Sequence, residues 1–310
     1  MFTSRLTRWM DQVDPYAVQR IALYKSLFIA TLMVYDYWLF LPTNLIAFFS
    51  PFLMIRFYES PALSSFKEKE GFLVFAAVGT ILISVSFYLL YPFKVVLFFY
   101  SMAALATVYF YVLNNYYQLK NTTMLLLACG PAILNTEPQG NWLVVYDIVI
   151  SVGIPMIPII ICLRLFPNQY LMVWKRALER FIQCLEQDIE ASLSDHRDSM
   201  MQEEIAHLGM LRKYRRLVPK KYMLYTHKIA NNVRNIQFSL DNLYYEEKNE
   251  AFWREIQKSL YFFRGAMKTN SHCHLPEMSV VPRTKLQHYV VNCLRQTCVY
   301  WNKLCSKLQH

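Results

Sequence analysis

The chain has 310 residues, 55% of them hydrophobic and only 17% charged, with a formal net charge of +10 and 7 glycines. A soluble domain carries about 25% charge, so an ordinary soluble enzyme is excluded. So few glycines leave little room for phosphate-cradling loops, and no GxGxxG, Walker A, GxSxG, HExxH or EF-hand pattern occurs.

Residues 1–20 come first. Phe2, Leu6, Trp9, Met10 and Val13 recur on one side of a short helix that Asp14-Pro15 ends. The pattern predicts an amphipathic segment lying at a membrane interface. No apolar run precedes Ile21 and no small-residue cleavage site follows it closely, so no signal peptide is expected.

Residues 21–167 read as a transmembrane domain of six apolar segments: Ile21–Phe40, Asn44–Tyr58, Gly71–Tyr91, Phe93–Leu113, Thr122–Leu134 and Trp142–Phe166. A membrane-crossing helix needs about 20 mostly apolar residues. The third, fourth and sixth segments meet this easily, while the second and fifth are short. Lys and Arg cluster in the N-terminal tail, the second and fourth connections and the tail after Phe166. The opposite connections hold only Lys94. That asymmetry predicts both termini on the cytoplasmic side.

Ionisable groups inside apolar segments are costly in lipid and commonly face a bundle interior or a water-filled path. Lys25 and Asp36 lie eleven residues apart, nearly three turns, so they share one helix face about 16 Å apart along the axis. Each is read either as snorkelling toward its end of the helix or as part of a transport path. Arg56 and Arg164 sit at inner ends, where snorkelling is the expected state. Asp147 lies deeper than its short side chain can escape. It is either an interfacial structural carboxylate or a proton-coupling group. Helix breakers interrupt three segments: Ser50-Pro51 in the second, Gly130-Pro131 in the fifth, and Gly153, Pro155 and Pro158 in the sixth. Broken spans expose backbone groups that can bind a solute; the alternative is a plain kink. The third and fourth segments carry small-residue faces, Ala76 with Thr80 and Ala103 with Thr107, which predict close helix packing.

Residues 168–310 hold 22 of the 32 basic and 14 of the 22 acidic residues, so most of the positive charge lies here. Anionic lipid explains it better than nucleic acid, which is not expected as a partner. Four apolar stripes at helical spacing predict a cytosolic helical bundle: Trp174–Leu193, Tyr222–Leu243, Phe252–Met267 and Leu286–Leu308, with a shorter helix over 200–217. The stripe from Tyr222 to Leu243 has near-heptad spacing and is read as bundle packing or as a dimer seam. Pro219, Pro276 and Pro282 fall where helices should stop. The basic run from Leu211 to Lys221 is a solvated face or a membrane-surface contact. His272-Cys273-His274 lacks the paired spacing of a zinc site, so no metal or cofactor is expected. The thiols are expected to be reduced.

The layout resembles the fusaric acid resistance / aromatic acid exporter superfamily, in its single-unit form. The resemblance rests on Ala22-Leu-Tyr-Lys-Ser-Leu in the first span and Pro51 in the second. It rests also on Lys67-Glu-Lys-Glu70 leading to Gly79-Thr80, and on Trp174-Lys-Arg-Ala-Leu-Glu-Arg-Phe-Ile. It implies an all-α inner-membrane protein that exports small organic anions, aromatic ones included. It also implies a homodimer that restores a second copy, and a periplasmic adaptor. With no phosphate-cradling loop for ATP in this chain, the drive is read as an ion gradient or the solute's own gradient. On that reading Lys25, Arg56 and Arg164, with the breaks at Pro51 and Gly130-Pro131, bind the anion. Asp147 or Asp36 couples to protons, and the chain is not an enzyme. The alternative is a non-transporting membrane scaffold whose cytosolic bundle binds a protein partner.

Overall fold

The computed structural model describes residues 5, 9–10, 12–42, 48, 55, 58–59, 63, 65–119, 142–166, 169–193, 201–242 and 249–309. Among them the regular structure is entirely helical: α1 Val18–Phe40, α2 Phe66–Leu90, α3 Lys94–Asn115, α4 Trp142–Leu165, α5 Tyr170–Leu193, α6 Met201–Arg215, α7 Lys220–Asp241, α8 Glu250–Thr269 and α9 Lys285–Gln309, with one 3₁₀ turn, Tyr117–Leu119. The chain divides into two compact units, Val18–Pro167 and the combination of Met1–Ala17 with Asn168–His310.

In the first unit α4 packs against both α1 and α2, and α2 packs against α3. Among the described residues, three helices are long and apolar enough to cross a membrane: Phe66–Leu90, Lys94–Asn115 and the Val145–Leu165 part of α4. The 23-residue α1 is long enough but falls short in mean hydropathy. The second and fifth predicted segments, with Pro51, Arg56, Gly130 and Pro131, lie outside the described residues apart from isolated positions. The core joins Ile29 and Met33 of α1 to Phe72, Leu73 and Ala76 of α2 and to Met156, Ile159 and Leu163 of α4.

Two expectations about these helices are corrected. The sixth segment is not broken, since α4 is one continuous helix with Pro155 and Pro158 inside it. Each proline lacks the N–H that would meet the carbonyl four residues back, at Ser151 and Ile154. The remaining i→i−4 bonds hold the helix because an apolar setting offers their groups no competing partner. Nor does the face of Ala103 and Thr107 pack closely within the chain. Both are exposed, and Val112 is the only buried residue of α3 among those described. The matching face of α2 does pack: Ala76 and Thr80 are buried, and the Thr80 hydroxyl donates to the Ala76 carbonyl at 2.7 Å. At Gly79 an added Cβ would meet nothing within 4 Å, so no close approach requires glycine there.

In the second unit α5 lies along α6 and α8, and α7 lies along α9. The predicted stripes form its core. Trp174, Phe181, Trp253, Phe263 and Trp301 are fully buried, and Phe263 meets Trp301 edge-to-face at 5.9 Å. The stripe of α7, with Tyr222, Ile229, Val233, Ile236 and Leu240 buried, is covered by α9 of the same chain. It is therefore not an open dimer seam, because the apolar face that heptad spacing creates is already filled. Pro219 stands at the start of α7. α8 ends earlier than Pro276, at Asn270, whose left-handed φ of 52° and backbone N–H to the Ala266 and Met267 carbonyls close the helix. Residues 270–284 then form an irregular strap leading to α9.

Candidate functional site: a buried ion cluster in the helical unit

Three charged side chains are buried together in the first unit: Lys25, Glu59 and Lys69, exposed by 3%, 3% and 0%. α1 supplies Lys25. Its buried residues are Ile21, Lys25, Ile29 and Met33, one stripe at a spacing of four, so the ammonium belongs to the packed face. Glu59 follows Tyr58, and its backbone N–H still donates to the Ile55 carbonyl at 3.1 Å. Lys69 comes from the first turns of α2. That helix is started by Ser65, whose hydroxyl accepts from the Glu68 N–H at 3.2 Å, an N-cap with the acid three residues on. The start at Phe66 puts Lys69 in phase with Phe72, Leu73, Ala76 and Thr80, all buried.

The contacts are short. Lys25 Nζ donates to Glu59 Oε1 at 2.6 Å. Lys69 Nζ donates to the Tyr58 carbonyl at 2.6 Å and lies 4.8 Å from the centre of its ring. Lys25 Nζ is also 5.4 Å from the Phe166 ring and 6.0 Å from that of Tyr58. Rings at these distances present their negative faces to a cation. Buried ions cost several kcal/mol each in desolvation, which pairing only partly offsets. A buried ammonium–carboxylate pair, with a second ammonium held nearby on a backbone carbonyl, is therefore a poor way to stabilise a fold. It is a good way to hold charge out of water, where its pull on another charged group is least screened.

The predicted residues fall in three groups. Lys25 belongs to the cluster and does not snorkel. Arg164 lies at the exposed end of α4 and pairs with Glu70 at 3.3 Å, both side chains more than half exposed. Asp36 shares the inner face of α1, half-buried, and its Oδ2 has no hydrogen-bond partner among the described residues. Asp147 is half-buried in the second turn of α4. The structure thus brings together Lys25 with Glu59 and Lys69, neither of which the sequence reading singled out. Lys69 lies in the charged run Lys67–Glu70 that leads into the third segment. The signal for it was the Ser65–Glu68 cap, which starts the helix five residues before Gly71 and carries the period of four back to Lys69.

Set against family models, curated proteins and solved structures, the chain matches none.

Proposed function

We propose that the chain is a membrane transport protein that exports small organic anions, aromatic carboxylates included, with Lys25, Glu59 and Lys69 forming the anion site. The observation that carries this reading is the buried cluster of Lys25, Glu59 and Lys69, inside the unit that also holds, among the described residues, three membrane-length apolar helices. Aromatic walls from Tyr58 and Phe166 suit an aromatic ligand. An incoming carboxylate would compete with Glu59 for Lys25 and would find Lys69 beside it. Export as the direction comes from the resemblance to the aromatic acid exporters, and an ion gradient as the drive from the lack of a phosphate-cradling loop for ATP in the sequence.

On this reading α1 is a further span. Its charged groups lower its mean hydropathy, yet Lys25 is buried and Asp36 half-buried, while Leu23, Leu27, Phe28, Val34 and Trp38 face outward. A lipid-facing helix wants that arrangement. With the second and fifth segments the count reaches six, and both termini lie on the cytoplasmic side of an inner membrane. Asp36 or Asp147 couples transport to protons, and a second copy of the chain completes the transporter.

The test is flux from proteoliposomes loaded with benzoate. Lys69→Met is expected to cut export at least about tenfold, the loss of one charge-assisted contact, while the protein remains folded. Asp36→Asn or Asp147→Asn is expected to abolish the response to a proton gradient. Unchanged flux in the Lys69 variant would remove the anion role. A folded wild type with no flux, but which captures a partner through its C-terminal unit, would favour the scaffold reading.

A further inference from the structure

In the C-terminal unit, Cys273 of the strap and Cys298 of α9 place their sulfurs 3.2 Å apart. A formed disulfide has its sulfurs at about 2.05 Å, so about 1.2 Å of approach separates the two states. We propose that Cys273 and Cys298 are a modification site, an oxidisable dithiol that closes to a disulfide on exposure to peroxide and staples the strap to α9.

Four observations support this. Both cysteines are reduced, as are the buried Cys184, Cys293 and Cys305, so the pairing is selected by position. The strap is held in register at the site by a two-way bond: the Cys273 N–H donates to Asn302 Oδ1 at 2.7 Å, and Asn302 Nδ2 donates to the Cys273 carbonyl at 3.0 Å. The Trp301 indole N–H donates to the Ser271 carbonyl at 3.0 Å. These bonds fix the Cys273 backbone against the turn of α9 that follows Cys298. The thiols also line a cavity of about 830 Å³ beneath the strap, together with His274, His288, Arg295 and Asn302. That cavity admits a molecule as small as hydrogen peroxide to sulfurs that are otherwise covered. Either thiol can donate to the other; with Cys298 as the donor, the bond lowers the Cys273 pKa and raises that of Cys298. In that arrangement Cys273 is the nucleophile and Cys298 the resolving thiol.

The chemistry balances. The Cys273 thiolate attacks one peroxide oxygen, the O–O bond breaks, and a sulfenic acid forms with release of hydroxide. The Cys298 sulfur attacks the sulfenic sulfur, the S–S bond forms, and water leaves with the thiol proton. Two thiols are oxidised by two electrons, and one peroxide is reduced to two waters.

The test is thiol mapping of the purified full chain before and after hydrogen peroxide. Oxidation should yield a peptide pair joined through Cys273 and Cys298, with Cys184, Cys293 and Cys305 still open to alkylation. Dithiothreitol should reverse the link. In Cys298→Ser the sulfenic acid has no resolving partner, so a dione probe should label Cys273, which it does not in the wild type. Cys273 and Cys298 both remaining alkylatable, or Cys305 taking the place of either, would overturn the assignment. The wild-type map decides this whether or not the serine variant folds.

Discussion

Removing the Lys25 ammonium while keeping Glu59 takes from a buried carboxylate its partner at 2.6 Å. Breaking one side of a buried pair costs about 3–5 kcal/mol, whereas replacing both sides with apolar groups is often close to neutral. Lys25→Met is therefore expected to destabilise strongly and Lys25→Met with Glu59→Met much less. A thermal unfolding series in mild detergent that includes Glu59→Met alone, read as a double-mutant cycle, checks it; a double-variant loss equal to the sum of the two single losses would mean that the pair is not coupled. A second residue sets a pH dependence in the C-terminal unit. Burial, and then the hydrogen bond and charge of Asp188, push the Glu204 carboxyl up to about 8. The folded chain therefore keeps this proton where the unfolded chain, near 4.5, has released it. The stabilising contribution is complete below that lower value and fades as pH rises to about 8. Glu204→Gln is expected to raise the melting temperature at pH 8 by a few degrees, on the order of 1 kcal/mol, and to change little at pH 4. A variant less stable at pH 8 would contradict this. At this scale the sequence was half legible. A separation of eleven residues from Lys25 to Asp36 puts both on one face by helical geometry alone. Glu59 and Lys69 were not legible as site residues, because their burial depends on a cap and on a neighbouring helix.

Single helices were the most readable level. The apolar stripes of α5, α7, α8 and α9 predict which residues the core takes, since a period of 3.6 follows from the backbone and not from the neighbours. What a stripe packs against is not written in it. Near-heptad spacing in α7 suits a second copy of the chain and α9 equally, and α9 fills it. α3 gives the opposite case: it is strongly apolar, yet its Val95, Phe98, Phe99, Leu105 and Phe110 stay exposed. An apolar surface of that extent on a monomer marks a lipid or protein contact. Leu105→Arg, near the middle of α3, is expected to cost roughly 3 kcal/mol of insertion. Leu224→Arg, exposed by 60% in α7, should fall within about 0.5 kcal/mol of neutral. Membrane-fraction yield of the two variants tests the contrast, and equal yields would place α3 in water.

For the whole molecule, the split into an apolar first half and a basic second half was plain from composition and charge. The division into units adds that Met1–Ala17 groups with the C-terminal helices, where the Tyr16 hydroxyl bonds His207 Nδ1 at 2.6 Å. Composition could not foretell that contact, which joins residues 191 apart in sequence. Transport of an anion through the first unit is the central claim. The most direct measurement is efflux of labelled benzoate from proteoliposomes of the purified wild-type chain under an imposed proton gradient. The account predicts gradient-dependent efflux well above that of protein-free liposomes, lost in Lys69→Met. Folded, correctly inserted protein that releases benzoate no faster than empty liposomes would contradict it.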